Sequence, residues 1–198
     1  MVKLVIATRN HNKKSELVKL LKGLKVKILT LEDFKEAPCV EEDGDTFKAN
    51  AVKKAKEIAD YTGFLTLADD SGLEVDAIGG APGVYSARFS GKGANDAKNN
   101  RKLLKLIKGI PEEKRKARFV CTIAVAKKNK LLKVVTATVF GRIAEKTSGV
   151  HGFGYDPVFI PRSFNKTFAE LGPEIKDKIS HRAKALEKAK KFLTEMSR

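Results

Sequence analysis

The sequence predicts an α/β fold built on a mixed β-sheet flanked by helices, and three observations point to it. Apolar runs and amphipathic stretches alternate as β-α-β-α-β over residues 1–68, an order that favours crossover connections and parallel strand pairs. Residues 117–141, "ARFVCTIAVAKKNKLLKVVTATVFG", read as two alternating strands joined at a polar "KKNK" turn, which adds an antiparallel hairpin. A helical stripe then closes the chain. At 198 residues the chain suits one domain, or one domain with a smaller lobe. Such a length buries roughly 70% of the unfolded surface, so the core requires neither metal nor disulfide.

Val2 to Thr8 reads as a short buried strand. It breaks at "TRNHNKK", where Asn10 or Asn12 caps a helix with Leu17, Leu20, Leu21 and Leu24 at helical spacing. "VKILTL" is the second strand. From Asp45 to Tyr61, Phe47, Ala51, Ala55, Ile58 and Ala59 share a helical face, with a cap at Asp45 and a stop at Gly63. The third strand, Phe64 to Ala68, ends at two adjacent carboxylates, Asp69 and Asp70. "GGAPGVYS" is a turn cluster. Residues 95–108 form a helix with Leu103, Leu104 and Ile107 inward. After the hairpin, "SGVHGFGYDP" is glycine-rich loop followed by a short strand, "PVFI". Pro173 takes the first position of a helix after Gly172, and Ile175, Ile179, Leu186, Ala189 and Leu193 supply the final buried stripe.

The 42% hydrophobic and 32% charged content belongs to an ordinary globular chain and excludes long disorder. Forty basic residues against 24 acidic ones give a formal charge of +16, which favours anionic partners. Much of that excess lies on outer helix faces, as in "KKAKE", and fits a solvated lysine-rich surface. Cys39 and Cys121 form no CxxC pair, which argues against zinc and against a disulfide framework. "MVKLVIATRN" lacks signal-peptide architecture and no run approaches a membrane span, so a cytoplasmic protein with no membrane partner is expected.

Five segments carry candidate chemistry. In "ATRNHNK", residues 7–13, a strand end, a polar turn and a helix N-terminus aim backbone N–H groups and the helix dipole at one spot, with Asn10 and Lys13 beside it. No Walker pattern is present. In "EEDGDTFKANAVKKA", residues 41–55, Glu41, Glu42 and Asp43 precede a helix on which Asn50 and Lys54 lie four apart on one side. Dipole complementation explains such acids, as does a divalent cation held by one or both glutamates. In "LADDSG", two carboxylates about 4 Å apart repel by roughly 4 kcal/mol at an effective dielectric near 20. That repulsion calls for a shared proton, basic neighbours or a hard cation such as Mg²⁺. A turn accounts for "DSG" but leaves the acidic companions unexplained. "HGFGYDP" offers Phe153 and Tyr155 as exposed aromatics between glycines, suited to stacking on a base. "KDKISHR" brings Lys176, His181 and Arg182 to the last helix. Together these residues supply phosphate-binding cations, metal carboxylates and a base-holding loop, the inventory of a Mg²⁺-dependent enzyme acting on a nucleotide.

At these residues the sequence resembles the inosine/xanthosine triphosphate pyrophosphatases. The matching blocks are "ATRNHNK", "EEDGDTFKANAVKKA", "LADDSGLEVDAIGGAPGVYSARFSG", "GFGYDPVF", "FAEL" and "KDKISHR", in order across nearly the whole chain. Arg9 stands where many members carry glycine. The resemblance implies an elongated mixed sheet in one domain spanning residues 1–198, two lobes with a central cleft, and a homodimer. It implies Mg²⁺-dependent hydrolysis of ITP, dITP and XTP to monophosphate and pyrophosphate. Asp70 corresponds to the catalytic carboxylate and a metal ligand, with Glu41 or Glu42 as a further ligand. The segment Thr8, Arg9, Asn10, His11, Asn12 and Lys13, with Lys54, corresponds to the triphosphate site. Ser71, Phe153, Gly154, Tyr155, Asp156, Lys176, His181 and Arg182 correspond to the nucleoside end. Asp69 would orient a lysine or a water.

Two rival classes fit less well. A nucleic-acid-binding protein, suggested by the charge, calls for aromatics interleaved with basic residues on one exposed face, whereas the eleven Phe and three Tyr mostly occupy apolar-periodic positions. A stable nucleic-acid partner is therefore not expected. A phosphotransferase needs a Walker or kinase loop that the sequence lacks.

Overall fold

The structure, a computed structural model, describes residues 1–196. In chain order its elements are β1 (Val2–Ile6), α1 (His11–Leu21), β2 (Val26–Thr30), α2 (Phe47–Thr62), β3 (Leu65–Val75), α3 (Asp96–Leu106), β4 (Lys116–Lys127), β5 (Lys130–Ile143), β6 (Phe159–Pro161), α4 (Phe168–Ile179) and α5 (His181–Met196). The strands form one six-stranded sheet in the order β2-β1-β3-β4-β5-β6. β1 pairs in parallel with both β2 and β3, while β5 and β6 are antiparallel, so the sheet is mixed as the sequence predicts. No helix among the described residues is long and apolar enough to cross a membrane.

Two compact units share this sheet's strands. The first holds Met1–Asp70, Cys121–Ala137 and the chain from Arg182 onward; the second holds Ser71–Val120 and Thr138–His181. In the first, strand alternation sorts side chains to two faces. Leu4, Ile6, Leu67, Ile123 and Val125 pack with Leu17 and Leu21 of α1 and Leu186, Ala189 and Leu193 of α5. Val5, Ala7, Ala68, Ala124 and Ala126 pack with Ala51, Ala55, Ile58 and Ala59 of α2. Large residues thus face one helical layer and mostly small ones the other. Each fully buried leucine contributes roughly 2 kcal/mol. In the second unit, Leu73, Val75, Leu103, Phe119, Phe159 and Phe168 share a core.

Several local expectations are corrected. The N-cap of α2 is Thr46 rather than Asp45, because the Thr46 hydroxyl accepts the Ala49 N–H at 3.1 Å. Gly63, in the left-handed region at φ 72°, ends that helix as expected. Pro173 opens a helical segment after Gly172 as expected, but a first turn of helix precedes it: α4 begins at Phe168 behind the Thr167 cap and is broken at Gly172, which has non-helical φ 77° and ψ 175°. The largest correction concerns β3. It does not end at Asp69 but runs through both carboxylates and Ser71 to Val75. Turn propensity loses here because each aspartate finds buried partners, described next.

Candidate active site

The first unit assembles a charged cluster where β1 meets α1 and β3 passes α2. Asn10 caps α1, its Oδ1 accepting the Lys13 N–H at 3.0 Å, and its own N–H donates to Thr8 Oγ1 at 3.2 Å. The turn thereby delivers Lys13 inward, with Nζ 3.4 Å from Asp69 Oδ2. Arg9 turns elsewhere and donates to the Ala37 carbonyl at 2.6 Å. His11 and Asn12, the first residues of α1, are exposed at the same end.

Asp69 and Asp70 point to opposite faces of β3, so adjacent carboxylates meet different surroundings. Asp69 is completely buried. Burial alone would raise its pKa, but Lys13, Arg182 and Lys54 together hold the carboxyl well below the usual range. Arg182 Nε lies 3.3 Å from Asp69 Oδ2, and its Nη1 pairs with Glu16 of α1. The guanidinium is itself only 2% exposed. Arg182 thus lies among the first unit's buried charges.

Asp70 is also buried, with a different balance. Burial and the nearby Glu42 charge push its pKa up to about 6, against the opposing charges of Lys13 and Lys54. Asn50 donates to Asp70 Oδ2 at 3.0 Å, while Asn50 Oδ1 accepts the Gly44 N–H at 2.7 Å. A Cβ on Gly44 would stand 2.8 Å from that same Oδ1, so glycine lets the acidic loop close on Asn50. Glu42 pairs with Lys54 Nζ at 2.6 Å and shares a hydrogen bond with Asp70. Against its burial, Lys54 holds the Glu42 carboxyl below the usual range. Glu41 is exposed, on the side of Lys53. The two glutamates left open by the sequence are thus distinguished: Glu42 joins Asp70 and Glu41 does not.

The carboxylates here are hard oxygen donors. Among the described residues no group of three His, Cys, Asp or Glu gathers to cage an ion. Asp70 and Glu42 together supply two carboxylates, a number compatible with a hard divalent cation such as Mg²⁺, whose shell is completed by waters and substrate phosphates.

In the second unit the turn Phe153–Asp156 is tied from within. Asp156 Oδ2 accepts the Phe153 N–H at 2.8 Å and pairs with Lys176 Nζ at 2.5 Å. The same ammonium lies 4.4 Å from the centroid of the Phe153 ring, within cation–π range. A Cβ on Gly152 would come within 2.1 Å of Asp156 Oδ2. Tyr155 is not the exposed aromatic expected: it is 4% exposed and its hydroxyl donates to the Ser86 carbonyl at 2.9 Å. Burial pushes that phenol's pKa up. Gly154 lies between these two aromatics, and Ser71 is the half-buried first residue of this unit in β3. His181 stacks on Phe119 with ring centroids 4.5 Å apart.

Sequence reasoning placed Asn50 on the Lys54 face without assigning it a role; the i, i+4 spacing was the available signal. Glu16 carried none, because its partner Arg182 is 166 residues away.

The Ham1 family profile matches residues 4–192. The chain belongs to the Ham1 family. Among curated Ham1-like relatives, a dITP/XTP pyrophosphatase of Desulforamulus reducens is 49% identical, covering 98% of this chain and 97% of that protein. One from Geobacillus kaustophilus is 50% identical over 95% and 92% of the two chains. The solved structure of a HAM1 protein from Coxiella burnetii superposes with a TM-score of 0.90 at 40% identity, covering 98% of this chain and all of that one. A Mycobacterium abscessus structure described as a nucleoside-triphosphatase / dITP/XTP pyrophosphatase gives a TM-score of 0.78 at 43% identity, covering 95% and 98% of the two chains.

Proposed function

We propose that this Ham1 protein is a nucleoside-triphosphate pyrophosphatase that hydrolyses non-standard purine nucleotides, XTP, dITP and ITP, to the monophosphate and pyrophosphate. The observation that carries this reading is the unequal pair on β3. Asp69 is locked as an anion by Lys13 and Arg182, while Asp70 is raised to about 6 beside Glu42. Without a cation that carboxylate is ionised at neutral pH and can accept a proton from water; a bound cation would lower its pKa and keep it ionised.

Asp70, aimed by Asn50, orients a water toward the α-phosphorus and accepts its proton. The water oxygen bonds to phosphorus, the α–β bridging P–O bond breaks, and pyrophosphate leaves with the bridging oxygen. Lys13 and Lys54 stabilise the charge that grows on the leaving group. Asp70 and Glu42 would hold Mg²⁺, which when bound neutralises polyphosphate charge. In the second unit Phe153 offers a ring for the base and Lys176 a donor-only ammonium. Such a donor favours the 6-keto group of xanthine or hypoxanthine over the 6-amino group of adenine, itself a donor. A homodimer and a cytoplasmic role in removing mutagenic nucleotides belong to the same reading.

One assay tests it. Purified protein with Mg²⁺ should release pyrophosphate, rather than orthophosphate, from XTP and dITP far faster than from ATP, and EDTA should stop turnover. Equal rates on ATP, or orthophosphate as the product, would refute the assignment.

A further inference from the structure

The aromatic turn has a second set of ties, from a helix that neither the motifs nor the charged cluster involve. Asp96 and Asn100 lie four residues apart on α3 and so share a face. The Gly154 N–H donates to Asp96 Oδ2 at 2.6 Å, and Asn100 Nδ2 donates to the Gly154 carbonyl at 2.8 Å. Both polar backbone groups of one glycine are gripped by one helix. Because Gly154 sits between Phe153 and Tyr155, fixing its two flanking peptide planes fixes where both rings start. Gly154 has φ +63°, and an added Cβ would meet nothing within 4 Å, so the constraint there is conformational and not steric.

Asn100 is an expensive residue at this position. It is 4% exposed, and its Oδ1 has no hydrogen-bond partner among the described residues. A buried acceptor left unmade costs stability, and an apolar side chain would avoid that cost. What Asn100 supplies is its amide donor to Gly154. The adjacent Asn99 extends the same support. Its Nδ2 donates to the Ser86 and Ala87 carbonyls at 3.3 and 3.2 Å, and its Oδ1 accepts the Ser90 N–H at 2.8 Å. The Ser86 carbonyl is also the acceptor for the Tyr155 hydroxyl. Helix α3 therefore holds the turn directly at Gly154 and indirectly through Ser86.

We infer that Asp96 and Asn100 are positioning residues for base discrimination. They hold Gly154 so that Phe153 and Lys176 present one fixed geometry to the purine. The inference rests on the nucleoside role proposed above for that turn. Both residues belong to the second unit, whereas Asp70, Glu42 and Lys54 belong to the first, so their loss should act on base selection and leave the hydrolytic step in place.

The test compares wild type, Asp96→Ala, Asp96→Asn and Asn100→Ala, each first checked for cooperative thermal unfolding. Steady-state kinetics are measured with XTP and with ATP in Mg²⁺. Each alanine variant should lower the XTP-over-ATP ratio of kcat/KM about tenfold, the value of one hydrogen bond, mainly through KM for XTP. Their kcat on XTP should stay within about twofold of wild type, because only binding interactions are weakened. Asp96→Asn keeps an oxygen that accepts the Gly154 N–H and should restore the ratio. A general loss of folding would instead lower both substrates together and would not be rescued. A wild-type preference for XTP that survives both alanine variants overturns this inference alone. A wild type with no preference for XTP overturns the nucleoside reading and this inference with it.

Discussion

Removing the charge of Asp70 should abolish turnover and, in metal-free protein, make the fold more stable. Its folded pKa is about 6 against an ordinary value of 3.8, a rise of about two units. At about 1.4 kcal/mol per unit, the ionised carboxylate costs the apo fold about 3 kcal/mol. The sign follows from the raised value. Below 3.8 the group is protonated in both states and costs nothing; the penalty grows between 3.8 and about 6 and is complete above that. Asp70→Asn removes it while keeping an oxygen for the Asn50 donor. The new amide must find its own partner, which offsets about 1 kcal/mol. The net gain of about 2 kcal/mol corresponds to a Tm increase of about 4–8 °C for a chain this long. The assay is thermal unfolding of both proteins in EDTA across the titration range. The increment should be full at pH 7.5 and shrink as the pH falls toward 4. Adding Mg²⁺ should narrow the gap by stabilising the wild type. A Tm that falls on substitution, or an increment independent of pH, would refute the electrostatic account of this site.

Two further substitutions probe the two units separately. Arg182→Leu takes a hydrogen-bonded cation from the buried Asp69, and should cost about 3–5 kcal/mol, read from the midpoint of urea unfolding. A loss below 1 kcal/mol would mean that the guanidinium is not what stabilises the buried anion. Gly152→Ala drives a Cβ into the Asp156 carboxylate, which holds Phe153 and Lys176, and should raise KM for XTP while kcat changes little. An unaltered KM would detach that carboxylate from substrate binding.

The fold was legible where periodicity and capping act locally. The β-α-β-α-β order, the hairpin at Lys128–Asn129 and the Gly63 stop all depend on residues within a few positions of one another. What was hidden depends on partners distant in sequence. "DDSG" carries turn chemistry, and only Asn50 on α2 and Arg182 on α5 explain why a strand persists through it. For the same reason Tyr155 looked like an exposed stacking ring: nothing near it announces a hydroxyl bond to Ser86, 69 residues earlier. Among the candidate site residues, spacing recovered the Asn50–Lys54 face and narrowed the cap of α1 to Asn10 or Asn12, of which Asn10 is the cap. It did not separate Glu42 from Glu41, because that choice turns on which carboxylate the acidic loop directs toward Asp70.

The placement of Asp69 and Asp70 on opposite faces of β3 also bears on how the chain finds its native pairing. A slip of one residue along β1 would turn each side chain of β3 to the other face. In one direction Ser71 takes the place of Asp70 beside Asn50 and Lys54; in the other Ala68 takes the place of Asp69 beside Lys13 and Arg182. Either misalignment takes a carboxylate away from buried cations, which is costly. The residues that make the chemistry possible also favour one register of the central strand.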